Sequence, residues 1–348
     1  MKRNTGMTLR TVIAALLVAS AALGAFSKVG TTGANFLKIG VGRATGMGDA
    51  FVAIADDASA TYYNPAGLAG VGRSVQLNHL EWISDMSHEH LSAVLPTGFG
   101  TVALSVTALA MGDIEQTTID NPNTRLREDE GTGLYFGASD IALAASYARI
   151  ITDKLAFGLT VKAVNQSIWD MSASAVGADL GLHYNTGWNS LRIGAAMTNF
   201  GTQLSFTGRQ LDYNFFWDDS GPSQLPGSYK TAPAPLPTSF RFGLAYDVVN
   251  QGDNLLTAAL DVIHPSDINE TVNLGLEYGY AKTFYVRAGY VLNTDISYQE
   301  NIGWGTGLSA GLGVRTAPAK GLKLGLDYGY RYLQYLQPTH RLLLTVGF

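Results

Sequence analysis

The chain has 348 residues, of which 46% are hydrophobic and only 15% are charged, whereas soluble domains carry about 25% charged residues. It holds 40 glycines and 17 tyrosines, has no cysteine, and has a net charge of −5. This composition excludes disulfides, thiolate chemistry and a cysteine-linked lipid anchor, and it gives no indication of nucleic-acid binding.

The N-terminus is organised like a secretory signal peptide. Basic residues come first, at Lys2, Arg3 and Arg10. The apolar stretch Val12–Leu23 follows, and the small residues Ala22 and Gly24 form a cleavage site. The apolar stretch of about twelve residues is too short to cross a bilayer comfortably, which disfavours the alternative of an anchor helix. We therefore predict a signal peptide over residues 1–24 and a mature chain that begins near Ala25.

Residues 34–72 show no strand-like alternation. A short helix is expected over residues 49–55, with Phe51, Ile54 and Ala55 on one side. Pro65 and Gly67 forbid its continuation.

From residue 73 onward, apolar and polar residues alternate strictly. For example, Leu324, Leu326, Tyr328 and Tyr330 share one face, opposite Lys323, Gly325, Asp327 and Gly329. The strands run to ten residues or more, which exceeds the usual five or six of soluble sheets and matches a tilted membrane crossing. The predicted strands are 73–83, 87–96, 100–111, 139–150, 154–169, 173–186, 188–200, 237–249, 254–264, 270–280, 283–293, 302–316, 320–334 and 339–348.

The connections support this strand count. If the first strand rises from the periplasm, the short turns fall on the periplasmic side and the long connections 112–138 and 201–236 fall outside, as in outer-membrane barrels. The chain ends on Phe348, directly after an alternating strand. We therefore predict an all-β transmembrane antiparallel barrel of about 14 strands over residues 73–348, placed in the bacterial outer membrane and in contact with its lipid. The alternative is a secreted β-sandwich.

Aromatic residues at strand ends predict two interfacial girdles. The outer girdle comprises Trp82, Trp169, Trp304 and Tyr332, and the inner one Tyr184, Trp188, Tyr246, Phe284 and Phe348.

A segment that precedes the first strand of a barrel can occupy few positions, and the lumen is the favoured one. Residues 25–72 are therefore predicted to form an N-terminal hatch or plug. Three motifs lie here: Gly46-Met47-Gly48, then Ala50-Phe51-Val52-Ala53 with Ala55-Asp56-Asp57-Ala58, then Tyr63-Asn64-Pro65-Ala66-Gly67-Leu68.

This stretch resembles the PorV/PorQ family, within the superfamily of FadL-like outer-membrane transporters. The resemblance implies a fourteen-stranded barrel with an N-terminal hatch. It makes Phe51, Asp56, Asp57, Asn64, Pro65 and Ala66 the hatch or gating candidates. For Asn64 and Pro65 the alternative is a structural role in capping and ending a helix.

The resemblance implies two functions. PorV-like members serve type IX secretion, so secretion-system components or cargo proteins would be partners. FadL-like members pass long-chain fatty acids or other hydrophobic small molecules through the lumen. We take secretion or partner docking as the first hypothesis and hydrophobic uptake as its alternative; a sealed structural barrel is a third.

Charged residues of both signs fall on the predicted lumenal faces, where pairing with one another and holding the plug is favoured over forming a substrate path. They are Lys162, Asp179, Arg192, Arg241, Asp247, Asp261, Glu277, Arg287, Arg315, Lys323, Asp327, Arg331 and Arg341.

Three further features give weaker signals. His88 and His90, with Glu81 and Asp85 nearby, form a weak metal candidate, and solvated side chains near the rim are favoured. Residues 112–138 form an acidic loop, for which calcium is a minor option. Asn199-Phe200-Gly201 interrupts the seventh strand and marks a kink or a strand end.

Phe215, Phe216 and Trp217 are three consecutive aromatic residues in a predicted exposed loop. They are the candidates for ligand or partner contact, as an inward lid, a lipid contact or a docking site. No nucleophile elbow, phosphate-binding loop, zinc motif or dinucleotide fingerprint occurs. We therefore predict no enzymatic activity, no catalytic or metal-binding residue and no cofactor.

Overall fold

The computed structural model describes residues 31–117, 131–216, 224–303 and 305–348. The predicted signal peptide, the middle of the acidic loop, Trp217 and Trp304 lie outside these ranges. Within the described part of the chain, no helix has the length and apolar character needed to cross a membrane.

Fourteen long strands form one antiparallel sheet that closes on itself. They are β1 (Ser74–Glu81), β2 (Ser87–Thr97), β3 (Gly100–Ala110), β4 (Ala138–Thr152), β5 (Leu155–Ile168), β6 (Met171–Asn185), β7 (Arg192–Gly201), β8 (Ser239–Gln251), β9 (Asn254–Pro265), β10 (Thr271–Tyr280), β11 (Phe284–Asn293), β12 (Leu308–Ala319), β13 (Leu322–Arg331) and β14 (Thr339–Gly347).

The sheet closes because β14 pairs with β1. The register runs from Ser74 opposite Gly347 to Glu81 opposite His340. Every other strand pairs with its neighbours in chain order, including β6 with β7 and β7 with β8. Closure leaves no unpaired sheet edge, which the hydrocarbon region of a membrane requires. The predicted fold class, a barrel of about 14 antiparallel strands, is confirmed.

The apolar faces of the strands point outward. On β13, Leu326 is 57% exposed while its neighbour Asp327 is 3% exposed. The same holds for Leu276 beside Glu277 on β10. A closed barrel with an apolar exterior and a polar interior is the architecture of bacterial outer-membrane proteins, and this chain is one of them.

Short turns join the strands at one end of the barrel and longer connections at the other, which we place in the periplasm and outside respectively. The outer connections carry two hairpins, Ile114–Thr117 with Gly131–Phe136 and Asp212–Phe216 with Gln224–Ser228. Short helices lie there at Ile83–Asp85, Arg209–Leu211 and Ile296–Ile302. The last of these ends at Ile302, the first residue of the predicted twelfth strand, and β12 itself starts later than expected, at Leu308.

Residues 31–72, here called the N-terminal segment, lie against the inward faces of the strands. The segment holds four short helices: Asn35–Lys38, Gly42–Met47, Ala60–Tyr63 and Pro65–Gly70.

The helix predicted over residues 49–55 is absent, and that prediction is wrong. Asp49 and Ala55 both have positive φ, at 60° and 33°, which breaks a helix at each end. Pro65 begins a helix, where the lack of an N–H costs nothing.

Candidate functional site: two lumenal cavities and the segment between them

Glycines on the lumenal wall make room for the N-terminal segment. A Cβ on Gly194 of β7 would lie 2.3 Å from the carbonyl oxygen of Val52, and one on Gly289 of β11 would lie 2.0 Å from the backbone nitrogen of Gly48. No side chain fits at such distances, so the backbones touch directly. The high glycine count therefore reflects, in part, the close packing of the segment on the wall.

Residues 51–66, here called the barrier, cross the lumen. The Asn64 side chain is fully buried and donates hydrogen bonds to the carbonyls of Val52, at 2.9 Å, and Leu182 on β6, at 3.0 Å. Its Oδ1 atom accepts from the N–H of Ala66 at 3.1 Å. The amide thus joins both ends of the barrier to the wall, and a buried group with all these partners is costly to disturb.

A charged cluster fastens the segment to the opposite wall. Arg43 is buried and donates to Asp57 at 2.7 Å and to both oxygens of Glu277 on β10 at 2.7 and 2.6 Å; it also pairs with Asp56. Glu277 accepts a further bond from Arg287 at 2.6 Å. Arg43 therefore bridges two carboxylates of the segment to one of the wall, and removing it would leave Asp57 without its ion pair and Glu277 with Arg287 alone.

A second ionic contact lies nearer the outside. Arg331 of β13 donates to Asp49 at 2.5 Å, and the Tyr63 hydroxyl donates to the same carboxylate at 2.7 Å. Burial by itself raises the pKa of the Asp49 carboxyl, but Arg331 and Arg341 together with the hydrogen bonds hold that pKa below its ordinary value. Asp49 is therefore ionised at neutral pH.

A cavity of about 270 Å³ lies on the extracellular side of the barrier and is called the outer cavity. Its lining is mixed. The apolar part comprises Pro237, Ile263, Pro265, Ile268 and Val291, and the polar part, here called the floor, comprises Lys38, Asp49, Tyr62, Tyr63, Asn199, Ser239, Arg241, Thr271, Asn273 and Arg331. Such a mixed lining suits a ligand with an apolar body and one polar group.

Arg241 is the cation of this floor that lacks a carboxylate. Its guanidinium lies 5.7 Å from the ring centroids of Tyr62 and of Tyr63, and its Nε donates weakly to Ser239 at 3.3 Å. Among the residues that the structure describes, no acid lies within ion-pair distance of it.

A cavity of about 240 Å³, the inner cavity, lies on the periplasmic side. Ile54, Ala55 and Ala66 form its ceiling, and Lys154 and Arg192 line its sides. The barrier thus separates two cavities that open toward opposite ends of the barrel.

Part of the long connection 202–238 packs against the N-terminal segment. Leu204 and Leu236 are almost fully buried and pack with Phe36 of the N-terminal segment, and Gly33 donates to the carbonyl of Pro235 at 2.9 Å. Lys38 adds an ionic contact to Asp267, at 2.7 Å. These contacts, here called the lid, join the connection to the N-terminal segment, and Pro237, next to Leu236, lines the outer cavity.

The structure brings the hatch candidates of the sequence together. Phe51, Asn64 and Pro65 are buried within the barrier, and Ala66 faces the inner cavity. Asp56 and Asp57 share the Arg43 guanidinium. Whether these residues gate transport stays a prediction.

The aromatic candidates are only partly described. The backbone of Phe215 and Phe216 belongs to the hairpin strand Asp212–Phe216, while their side chains and Trp217 lie outside the described residues. The inward packing of this connection comes from Leu204 and Leu236, which the sequence did not single out.

The expectation that His88 and His90 are solvated is wrong, since they are 0% and 3% exposed. The N-terminal segment fills the lumen at their level, and His90 lies 3.4 Å from the Thr61 hydroxyl. Glu81 is exposed, so it does not share their inward face. No cluster of three metal-binding side chains is found in the described ranges.

Most of the predicted lumenal charges are paired. Lys162 pairs with Asp179, and Arg192 with Asp247. The interruption at Asn199 is a β-bulge: Asn199 has a φ of 60°, and its N–H donates to Asp179 at 2.7 Å. The predicted kink is therefore present.

Sequence reasoning missed Arg43, Asp49 and Tyr63. All three fall in the N-terminal stretch, and a charge within a segment predicted to be buried is a signal that it needs a partner on the wall. The girdle residue Trp82 packs inward beside the lid, whereas Trp169, Trp188 and Phe284 are exposed as expected.

No family model and no curated protein sequence matches the chain. Solved structures do match in fold. The Pseudomonas putida toluene transporter TodX is 13% identical, with 88% of this chain and 97% of that chain covered and a TM-score of 0.54. A Pseudomonas aeruginosa FadL homologue is 12% identical, with 88% and 98% covered and a TM-score of 0.52. The CymD monoaromatic hydrocarbon channel is 15% identical, with 92% and 97% covered and a TM-score of 0.50. This chain is similar to them in its barrel.

Proposed function

We propose that the chain is a FadL-like channel that carries long-chain fatty acids or other hydrophobic small molecules across the outer membrane, with residues 31–72 as its hatch. The observation that carries this proposal is the pair of cavities on the two faces of the barrier. Buried residues of the N-terminal segment, among them Phe51, Ile54 and Tyr63, lie between them, so a movement of the segment would join them.

The lining of the outer cavity supports a ligand with apolar character. Five apolar side chains form part of that lining. Three proteins with this fold are named as a toluene transporter, a FadL homologue and a monoaromatic hydrocarbon channel, which supports a transport role over catalysis.

The test is uptake by whole cells. A strain that lacks the chain is compared with the same strain carrying it, using radiolabelled decanol and decanoate, with a sugar of similar size as the hydrophilic control. We expect faster uptake of the hydrophobic probes alone. Equal rates in both strains for every hydrophobic probe would overturn the proposal.

The second candidate is a PorV/PorQ-type role in protein secretion or partner docking. It is favoured by the N-terminal motifs and by exposed rings in the outer connections, such as Tyr229, Tyr298 and Tyr335. Affinity capture of the tagged chain from outer membranes tests it. Recovery of surface-attached cargo that is lost when the hairpin 212–228 is deleted would favour this role over uptake.

A further inference from the structure

A small chamber lies between the N-terminal segment and the barrel wall, next to the outer cavity. Its volume is about 20 Å³, which is room for one water-sized guest or one small ion. Tyr62, Asn199 and Arg241 line both the chamber and the outer cavity. The other lining residues come from the segment and from strands β2, β3, β4, β5 and β7, so the chamber is a distinct space behind the floor of the outer cavity.

Two cations and no acid line this chamber. Lys162 on β5 is paired with Asp179 at 2.7 Å, and it also donates to the Asn199 side-chain oxygen at 2.7 Å. Arg241 on β8 is 7% exposed and has no acid within ion-pair distance among the residues that the structure describes. The lining therefore carries one uncompensated positive charge, and a buried charge without a partner is strongly unfavourable.

The hydrogen-bond donors of the lining are also unevenly used. The hydroxyls of Thr61 and Tyr62 donate to backbone carbonyls, at 2.9 and 2.8 Å respectively. Ser105 on β3 is 7% exposed, and its hydroxyl makes no hydrogen bond to another described residue. Arg241 uses its Nε on Ser239, which leaves it the terminal nitrogens with their four N–H groups. A guanidinium and a hydroxyl thus remain as donors at one small space.

We propose that the chamber binds a single small halide ion, chloride in the cell, between the Arg241 guanidinium and the Ser105 hydroxyl. A halide accepts hydrogen bonds from any direction, needs no acceptor of its own and neutralises Arg241. A water molecule fits the volume but leaves the charge uncompensated. This inference goes beyond the proposed function, since the ion is a resident part of the fold and not the transported molecule.

The position of the chamber gives the ion a structural consequence. Leu37, Thr61 and Tyr62 contribute the side of the N-terminal segment, and Ser105 and Arg241 contribute the side of the wall. An ion that binds where these two parts meet binds the folded barrel and not the unfolded chain. Chloride should therefore stabilise the protein by mass action.

The first measurement is thermal unfolding of the purified full-length protein in detergent. Chloride replaces gluconate at constant ionic strength, because gluconate is too large for the chamber. We expect a saturable rise of the unfolding temperature by at least about 2 °C. A general salt effect would grow linearly without saturation. An unfolding temperature that does not change, or that rises without saturating, overturns the proposal.

Two serines that face each other supply the matched variants. Ser105→Ala removes a donor to the ion, so the chloride concentration at half-saturation should rise about tenfold. Ser92→Ala is the control, because Ser92 pairs with Ser105 across β2 and β3 and is fully buried but does not line the chamber. We expect it to keep the wild-type half-saturation. Equal values in the two variants would overturn the proposal.

Arg241→Met should abolish the dependence on chloride altogether, and if that variant does not fold, the two serine variants still decide. Crystals grown with bromide in place of chloride locate the ion directly. We expect an anomalous peak in the chamber beside Arg241 and Ser105. If no peak lies there, the chamber holds water only and the inference is wrong. The uptake proposal is unaffected by that outcome, because none of these measurements depends on transport.

Discussion

Asp261 and Phe51 are joined across 210 residues of sequence by a hydrogen bond of 2.7 Å, in which the Asp261 carboxylate on β9 accepts the backbone N–H of Phe51. The same oxygen accepts the N–H of Val52 at 2.9 Å. Two successive N–H groups of the segment are thus held by one carboxylate of the wall. The contact therefore fixes where the barrier begins against β9.

Replacing Asp261 with alanine should free the start of the barrier. Both N–H groups lose their acceptor while buried, so we expect hydrogen exchange at residues 51 and 52 to rise by at least tenfold. Asp261→Asn keeps one acceptor oxygen and should give a smaller rise. Asp253→Ala, on an exposed periplasmic turn, is the control. Unchanged exchange in the alanine variant would show that the barrier is held elsewhere.

A methyl group on Gly194 should displace the segment from the wall. The added Cβ would lie 2.3 Å from the Val52 carbonyl oxygen, and neither backbone can give way easily. We expect Gly194→Ala to destabilise the barrel by about 1–3 kcal/mol in urea unfolding. It should also raise the single-channel conductance in planar bilayers. Gly98→Ala, where nothing lies within 4 Å, should stay within about 0.5 kcal/mol of the wild type. Equal behaviour of the two variants would contradict the close contact.

Removing Arg43 should lower the free energy of unfolding far more than removing an exposed arginine. Arg43→Met leaves Asp57 and Glu277 without their shared cation, and breaking such a buried cluster typically costs about 3–5 kcal/mol. Arg209→Met removes an ion pair whose arginine is 83% exposed, and we expect a change within about 0.5 kcal/mol. Urea unfolding in micelles compares the two. If Arg43→Met loses no more stability than Arg209→Met, the charged cluster does not fasten the segment.

The contact between Lys38 and Asp267 should depend on pH. Partial burial by itself raises the pKa of the Asp267 carboxyl, but the hydrogen bonds from Lys38 and Thr32 bring it below its ordinary value. Such a carboxyl stabilises the fold above its ordinary pKa, and the contribution is lost as the pH falls through the lowered pKa.

We therefore expect hydrogen exchange of residues 32–38, corrected for the intrinsic rate, to be constant from pH 8 to 5 and to rise below about pH 4. Asp267→Asn should show raised exchange at every pH and lose that dependence. A transition near pH 6 would point to a histidine instead.

The barrel was predictable from the sequence because apolar and polar residues alternate at every second position of a membrane strand. Adjacent residues such as Leu326 and Asp327 are enough to show this alternation. The N-terminal segment has no such repeat. Its path depends on contacts that are remote in sequence, such as Asp261 with Phe51 and Arg43 with Glu277. Motif resemblance found the stretch and six of its residues, but not their partners on the wall.

The lumenal charges show the same limit of prediction from sequence. Alternation placed Arg241, Arg331 and Arg341 correctly on the inner face, and pairing was the expected outcome for all of them. The structure gives Arg331 a partner from the N-terminal segment and leaves the other two without an acid. Which cation stays unpaired depends on side-chain positions across three strands, and no local pattern encodes that.

Loosening the lid should speed access to the outer cavity. Leu236 is 1% exposed, packs with Leu204 and Phe36, and precedes Pro237, which lines the outer cavity. Leu236→Ala removes buried contacts that are typically worth about 2–5 kcal/mol, so the lid should open more often. We expect the hydrophobic fluorescent probe N-phenyl-1-naphthylamine to associate with the purified protein several-fold faster, as measured by stopped flow.

The matched control for the lid is Leu225→Ala, in the same connection, where the leucine is 40% exposed and its loss should leave the association rate unchanged. Because the cavity itself is unaltered, the dissociation rate should rise with the association rate and the affinity should change little. A probe that associates equally fast with Leu236→Ala and the wild type would mean that ligands reach the cavity by another route, through the barrel wall.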